Sequence, residues 1–271
     1  GLSGDAITDA DFNVALGYSS LSTNQLGSRS VAVGFNALLT QNPATATDMY
    51  NVAVGHNAGR DVTTAIYNTL IGGLAGDALT VGNNNVAVGF NALTADTKGD
   101  RNVAVGSGSL LSQNFTTTTD SYNVAVGYEA GGAVTTGVNN TIVGGLAGDA
   151  LTEGNRNVVA GQGALSADTL GSESVALGWG ALAAQNFTTA TNALNVAVGA
   201  VAGLSITTGI QNTLIGGLAG DALTDADFNI AIGYGALSSD TLGSHSVAIG
   251  RNALVLQNFT TATDAYNVAI G

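Results

Sequence analysis

The sequence predicts an all-β fold, a parallel β-solenoid (β-roll) of about 15 coils, and three observations predict it. A five-residue phrase, Asn-Val-Ala-Val-Gly with close variants, recurs fifteen times, each copy ending at a glycine between Gly17 and Gly271. The glycines are spaced 17, 21, 17 and 17 residues apart, and this group of four intervals recurs, so the chain also repeats every 72 residues. Within the phrase bulky residues alternate with alanine, the period-2 signature of a strand whose two faces differ. A short fixed period means that each unit is one turn of a stack, unable to bury its apolar face alone. Residues 1–271 therefore read as a single continuous solenoid segment. Fifteen coils at ~4.8 Å would make a rod of about 70 Å, and no helix is expected.

Each position in the coil then has a job. The valines of Val-Ala-Val, such as Val52, Val54, Val124 and Val126, are expected to point inward, with Ala53 and Ala125 outward. The residue ahead of the first valine is Asn in twelve copies and Ser in three (Ser30, Ser174, Ser246). Stacked coils would bring these amides within hydrogen-bonding reach of one another, as a ladder. The glycine fits a tight corner that excludes a Cβ.

Three residues past each corner comes Ala or Ser, and the next residue alternates in pairs between Leu and Gly. Where it is Gly (Gly59, Gly76, Gly131, Gly203), an apolar residue appears three positions on: Val62, Leu79, Val134, Ile206. Where it is Leu, as at Leu93 or Leu237, that later position is polar: Asp96, Asp240. Two ways of filling one interior slot would produce this exchange, since cores tolerate rearranged volume better than lost volume. The residues just after the corner (Tyr18, Phe35, His56, Trp179, Arg251) vary without rule and read as a solvent-facing strip.

Four coil types follow in order. The first carries a turn such as Ala-Asp-Thr-Lys-Gly at 95–99. The second is four residues longer and carries Gln-Asn-Phe-Thr-Thr. The third has Val-Thr-Thr-Gly, and the fourth Gly-Gly-Leu-Ala-Gly-Asp-Ala-Leu-Thr. An outward strip of alanines (Ala15, Ala32, Ala87, Ala104, Ala197, Ala231) would be smooth and apolar, unlike a water-facing strand. It suggests contact with the same face of a sister chain, with Leu70, Ile142 and Leu214 as interlocking knobs.

Composition narrows the function classes. Six Lys and Arg against nineteen Asp and Glu give a net charge of −13, which argues against nucleic acid. The chain has no cysteine, so the framework needs no disulfide. No apolar run approaches the ~18 residues of a transmembrane helix, so no membrane insertion is expected of this segment. The chain opens on Gly1-Leu2-Ser3-Gly4, matching Gly73-Leu74-Ala75-Gly76, and stops on a phrase-ending Gly271. It reads as an excerpt of a longer repetitive fibre protein.

The run Asn-Val-Ala-Val-Gly followed by Asn-Ala-Leu at 85–93 resembles the head repeats of trimeric autotransporter adhesins (YadA-like heads). The 17-residue spacing with Thr-Thr-Gly, at 135–137 and 207–209, is similar to repeats of phage and bacterial tail-fibre proteins. The resemblance covers the whole chain. It implies a left-handed parallel β-roll assembled as a homo-oligomer, usually a trimer, in an extracellular setting on a cell surface or virion. The implied role is a structural shaft or head segment that projects a binding tip, cell adhesion being the wider context. It implies no catalytic, cofactor-binding or metal-binding residues. The 21-residue coil and strict 72-residue super-period depart from the family pattern.

Several motifs bear on chemistry. Gly72–Thr80 approximates a calcium nonapeptide, but that site needs tandem copies, and Asp5, Asp77, Asp149 and Asp221 recur only every fourth coil, ~19 Å apart. Asn114-Phe115-Thr116, with its copies at 186–188 and 258–260, matches the N-glycosylation acceptor pattern. The same loops are the candidate adhesive sites: Phe115, Thr116, Thr117, Phe187, Thr188, Thr189, Phe259, Thr260 and Thr261; the structural alternative is a protruding loop whose Phe packs over its own rod or a neighbour and leaves the threonines exposed. Repeated weak contacts to a host-cell or prey-cell receptor would gain by multivalency. The alternative function is thus an adhesive binding module acting through these loops and the post-glycine strip. An enzyme is not expected, because His56 and His245 lack a repeated partner. Ice binding is disfavoured because Thr63-Thr64, Thr135-Thr136 and Thr207-Thr208 occur in one coil of four.

Overall fold

A computed structural model describes residues 1–271 and contains strands, turns and bends but no helix. The fold is a parallel β-solenoid of fifteen coils, each contributing one three-residue strand. The chain divides into two compact units, Gly1–Thr136 and Gly137–Gly271. In the first, the strands run from Val14–Leu16 through Val31–Val33, Val52–Val54, Thr69–Ile71, Val86–Val88 and Val103–Val105 to Val124–Val126. Each pairs in parallel with the next, equivalent residues opposite one another, as Ala32↔Ala53 and Ala87↔Ala104. The second unit repeats the arrangement from Thr141–Val143 to Val268–Ile270, as in Ala197↔Leu214 and Ala231↔Ala248. Shorter two-residue strands flank the long coil, pairing Gly99–Asp100 with Thr119–Asp120 and Gly243–Ser244 with Thr263–Asp264.

The corners are as the sequence predicts. Gly89 has φ +138°, and a Cβ there would sit 2.5 Å from the carbonyl oxygen of Gly106 in the next coil. The asparagine ladder also forms, with a division of labour. The Asn85 backbone N–H donates to Asn68 Oδ1 at 2.9 Å, while Asn85 Nδ2 donates to the Gly99 carbonyl at 2.9 Å. Each buried amide thereby satisfies backbone groups in two places, which a fully buried polar side chain requires.

The sidedness of the strand is the reverse of the expectation. Ala32, Ala53, Ala87, Ala104 and Ala125 are fully buried, and the flanking valines stand half-exposed on the outer face. Leu70, Ile142 and Leu214 are not external knobs; all three are fully buried. The reason is volume. In coils that carry a leucine such as Leu38, Leu93 or Leu110, the buried sheet residue is an alanine, except for the coil of Leu165, where it is Val159. Beside the glycines that replace this leucine, the sheet residue grows. A Cβ on Gly59 would lie 2.6 Å from Leu70 Cδ1, and one on Gly76 2.7 Å from Leu70 Cδ2. The Leu–Gly exchange is confirmed by the same packing, for Val62, Leu79, Val134, Leu151, Ile206 and Leu223 are fully buried beside their glycines.

Threonine also forms a longer ladder than the sequence suggested. Thr63 Oγ1 donates to the Thr80 carbonyl at 2.9 Å and Thr80 Oγ1 to the Thr97 carbonyl at 3.0 Å. Thr207, Thr224 and Thr241 repeat the pattern in the second unit. From Thr63 onward the column occupies three coils of four, interrupted by Asn114, Asn186 and Asn258, where the hydroxyls of Thr97, Thr169 and Thr241 lie within reach of both the asparagine Oδ1 and the next residue's carbonyl.

Candidate adhesive loops and surface columns

The long coil is held by a buried polar bracket. Asp96 occupies the slot that carries an apolar residue in other coils, and it is fully buried. Its Oδ1 accepts from the Gly99 N–H at 3.0 Å, and its Oδ2 accepts from Gln113 Nε2 at 2.6 Å. Gln113 Oε1 in turn accepts from Asn123 Nδ2 at 2.8 Å, so one glutamine ties the bracket to the asparagine ladder. Asp168 with Gln185, and Asp240 with Gln257, repeat the contact at 2.6 Å each. Burial raises the Asp96 and Asp168 carboxyls above the ordinary carboxylate range, against the lowering effect of these hydrogen bonds.

This bracket decides what the candidate loops present. The Phe187 N–H donates to Asp168 Oδ1 at 3.2 Å, and the Phe259 N–H to Asp240 Oδ1 at 2.9 Å. Phe115 and Phe187 are only 6% and 5% exposed, and Phe259 is half-buried. The phenylalanines are thus loop anchors rather than contact residues, because an aromatic ring gains most by leaving water. Thr116, Thr117, Thr188, Thr189, Thr260 and Thr261 are exposed. Asn114 and Asn186 are exposed too, each accepting from a neighbouring threonine hydroxyl, Thr97 and Thr169. The first copy differs: Asn24 takes the aspartate's place, and Pro43-Ala44 replaces Phe-Thr. There Gln41 Nε2 donates to Ser30 Oγ at 3.1 Å, a contact that Gln185 and Gln257 also make, to Ser174 and Ser246, beside their aspartates.

A second column, one residue before the asparagine, escaped the sequence reading. Arg29 lies over Phe12 and Tyr50, 4.8 and 5.7 Å from their ring centroids, and pairs with Asp48 at 2.9 Å. Arg101 lies over Tyr122 and pairs with Asp120. At the fourth copy His245 stands between Phe228 and Tyr266, 4.9 Å from each centroid, with Asp264 at 3.2 Å. In the third copy Glu173 replaces the cation, Asn192 replaces the aspartate, and Arg156 supplies the positive partner at 2.6 Å. Aligning the four 72-residue copies would have exposed this exchange.

The post-corner strip is exposed as expected. Consecutive rings stack, Tyr18 on Phe35 at 5.6 Å and Phe35 on His56 at 5.2 Å. Asp77, from the calcium-like motif, accepts from the Thr94 hydroxyl and lies 3.7 Å from Arg60. Asp61 is held below the usual carboxylate range by its hydrogen bond from Arg60. No three His, Asp or Glu side chains converge as a metal site would require, and no pocket indents the surface. Neither a protein-family model nor a curated protein matches the chain.

Proposed function

We propose that the chain is a structural shaft or head segment of an extracellular fibre, on a cell surface or virion, that self-associates through its valine-rich sheet face. One observation carries this reading: each unit presents two parallel apolar rows to solvent. Val31, Val52 and Val86 belong to one row and Val33, Val54 and Val88 to the other, all half-exposed. Only Thr69, Thr141 and Thr213 bring a hydroxyl into the first row, and the second has none. Continuous exposed apolar surface of this kind marks an interaction site, and a straight repeating face is best matched by a copy of itself. A homotrimer is the stoichiometry that the family resemblance implies. Sedimentation velocity of the chain and of a Val33, Val54, Val88, Val105→Thr variant tests this, with association expected for the first and a monomer for the second.

A second reading is favoured by the exposed threonines. Loops pinned by Asp–Gln brackets present Thr116-Thr117, Thr188-Thr189 and Thr260-Thr261 at intervals of 72 residues, suited to a repeating receptor on a host or prey cell. Deleting the four-residue insert in each long coil would abolish attachment if the segment is itself an adhesin. A shaft that only projects a tip would keep it.

A further inference from the structure

We infer that Thr69, Thr141 and Thr213 set the register of self-association, so that copies meet with their threonine levels coincident; the inference rests on the valine-rich face being the contact, as proposed above. These residues begin the strands Thr69–Ile71, Thr141–Val143 and Thr213–Ile215, one in each group of four coils. In the other twelve strands the same position is Val or Ile.

The face offers little else to align by. Neither outward row carries a charged residue in any strand, so the rows add no repulsion of their own to a chain of net charge −13. The second row changes size only at Leu16, Ala160 and Leu177 among its valines and isoleucines, without a period. Three strand residues are about 10 Å long and strands lie ~4.8 Å apart, so the two units together offer about 700 Å² per copy. That is close to the ~800 Å² that each partner gives a stable interface. Sliding one copy by a single coil keeps nearly all of this apolar contact. Area alone leaves the register open.

The threonines discriminate. Thr63 and Thr80 donate their hydroxyls to carbonyls of the next coil. Thr69, Thr141 and Thr213 instead turn outward beside the buried Leu70, Ile142 and Leu214, and their hydroxyls have no partner in the chain. In a single copy they are open to water. Contact with a second copy removes that water, and a hydroxyl set against the neighbour's equivalent of Val158 or Ile230 would have neither water nor partner. Threonine facing threonine satisfies both, since a hydroxyl donates and accepts. In the second unit Thr141 and Thr213 lie four coils, about 19 Å, apart, so a slip of one, two or three coils strands both. A four-coil slip restores the match but gives up the contact of four strands. A buried polar residue sets the alignment of paired helices in coiled coils in the same way, at a cost in stability. Copies that meet level for level can close into a discrete assembly, whereas a constant offset extends into an open filament.

The test is pulsed electron paramagnetic resonance on the intact chain, spin-labelled through Glu153→Cys, an exposed bend position off the sheet in a chain with no other cysteine. One interchain distance is expected. The Thr69, Thr141, Thr213→Val variant carries the residue most strands have there, so its fold is kept. It is expected to associate still, but with several interchain distances, one for each axial offset of a multiple of ~4.8 Å. Adding Val86, Val158, Ile230→Thr moves the threonine levels one coil along and is expected to restore a single distance. The inference is overturned if the valine variant keeps one distance, or if the relocated threonines leave the mixture as it was. Either result would keep the self-association and remove only its register device. A chain that shows no interchain distance at all would overturn the self-association and the register together.

Discussion

The two faces of each three-residue strand make opposite demands on side chains only one position apart. Inside, the column tolerates a single methyl beside Leu38 or Leu93 and demands a leucine beside Gly59 and Gly76. Outside, Val, Ile, Leu and Thr interchange in a half-exposed setting with no size matching to a neighbour in the chain. The inner face is constrained by close packing, and the outer face, on the proposed function, by contact with a second copy of the chain. Bulk alone is therefore a poor guide to which side of a solenoid strand is buried, since a narrow interior selects for fit.

The corner sets the stacking on which both faces depend, and it should be the least forgiving. Gly89→Ala places a methyl against the Gly106 carbonyl in a backbone region that side chains avoid, and is expected to cost about 3–6 kcal/mol, read as a lowered urea midpoint. Leu70→Ala should follow at about 2–5 kcal/mol, because the two facing glycines cannot refill the void. Leu70→Ala combined with Gly59→Leu would distinguish size matching from simple loss of apolar area. Recovery of part of that stability is expected if the slot is shared, since the equivalent leucines Leu38 and Leu93 adopt the same left-handed backbone, at φ +48° and +52°.

Smaller effects are expected at the bracket. Asp96→Ala strands the Gly99 N–H and the Gln113 amide, at a cost of about 2 kcal/mol. Burial raises the Asp96 pKa in the folded state, so the folded chain takes up that proton before the unfolded chain does. This group's contribution to stability therefore improves as pH falls from above its folded pKa toward its unfolded value, and is lost as pH rises again. Asp96→Asn should remove that slope, which urea unfolding at a series of mildly acidic pH values would detect. On the outer face, Val88→Thr should change folding stability by no more than about 0.5 kcal/mol.

How much of this was legible varies with the kind of constraint. The corner glycines and the asparagine column each answer a backbone requirement repeated in every coil, so period and residue type suffice to read them. The alternation of Val and Ala establishes two faces but carries no sign. The sign was nevertheless present: Leu70, Ile142 and Leu214 occur only in coils where the opposite position is glycine, and volume compensation can operate only between residues that share an interior. Similarly, the switch from Leu79 to Asp96 marked one slot, but that the aspartate remains buried follows from Gln113, seventeen residues away. The Phe loops left two readings open, receptor contact or a Phe packed over its own rod with the threonines exposed, and the burial of Phe115 and Phe187 fits the second.

The account rests most heavily on the outer valine rows being a face between copies. Sedimentation velocity of the intact chain across a micromolar concentration range tests that directly. A discrete species at a small multiple of the single-chain mass, reduced to one chain by the four-valine threonine variant with its β-sheet circular dichroism unchanged, is the result predicted. A chain that stays monomeric throughout that range, or an assembly indifferent to those four substitutions, would contradict it.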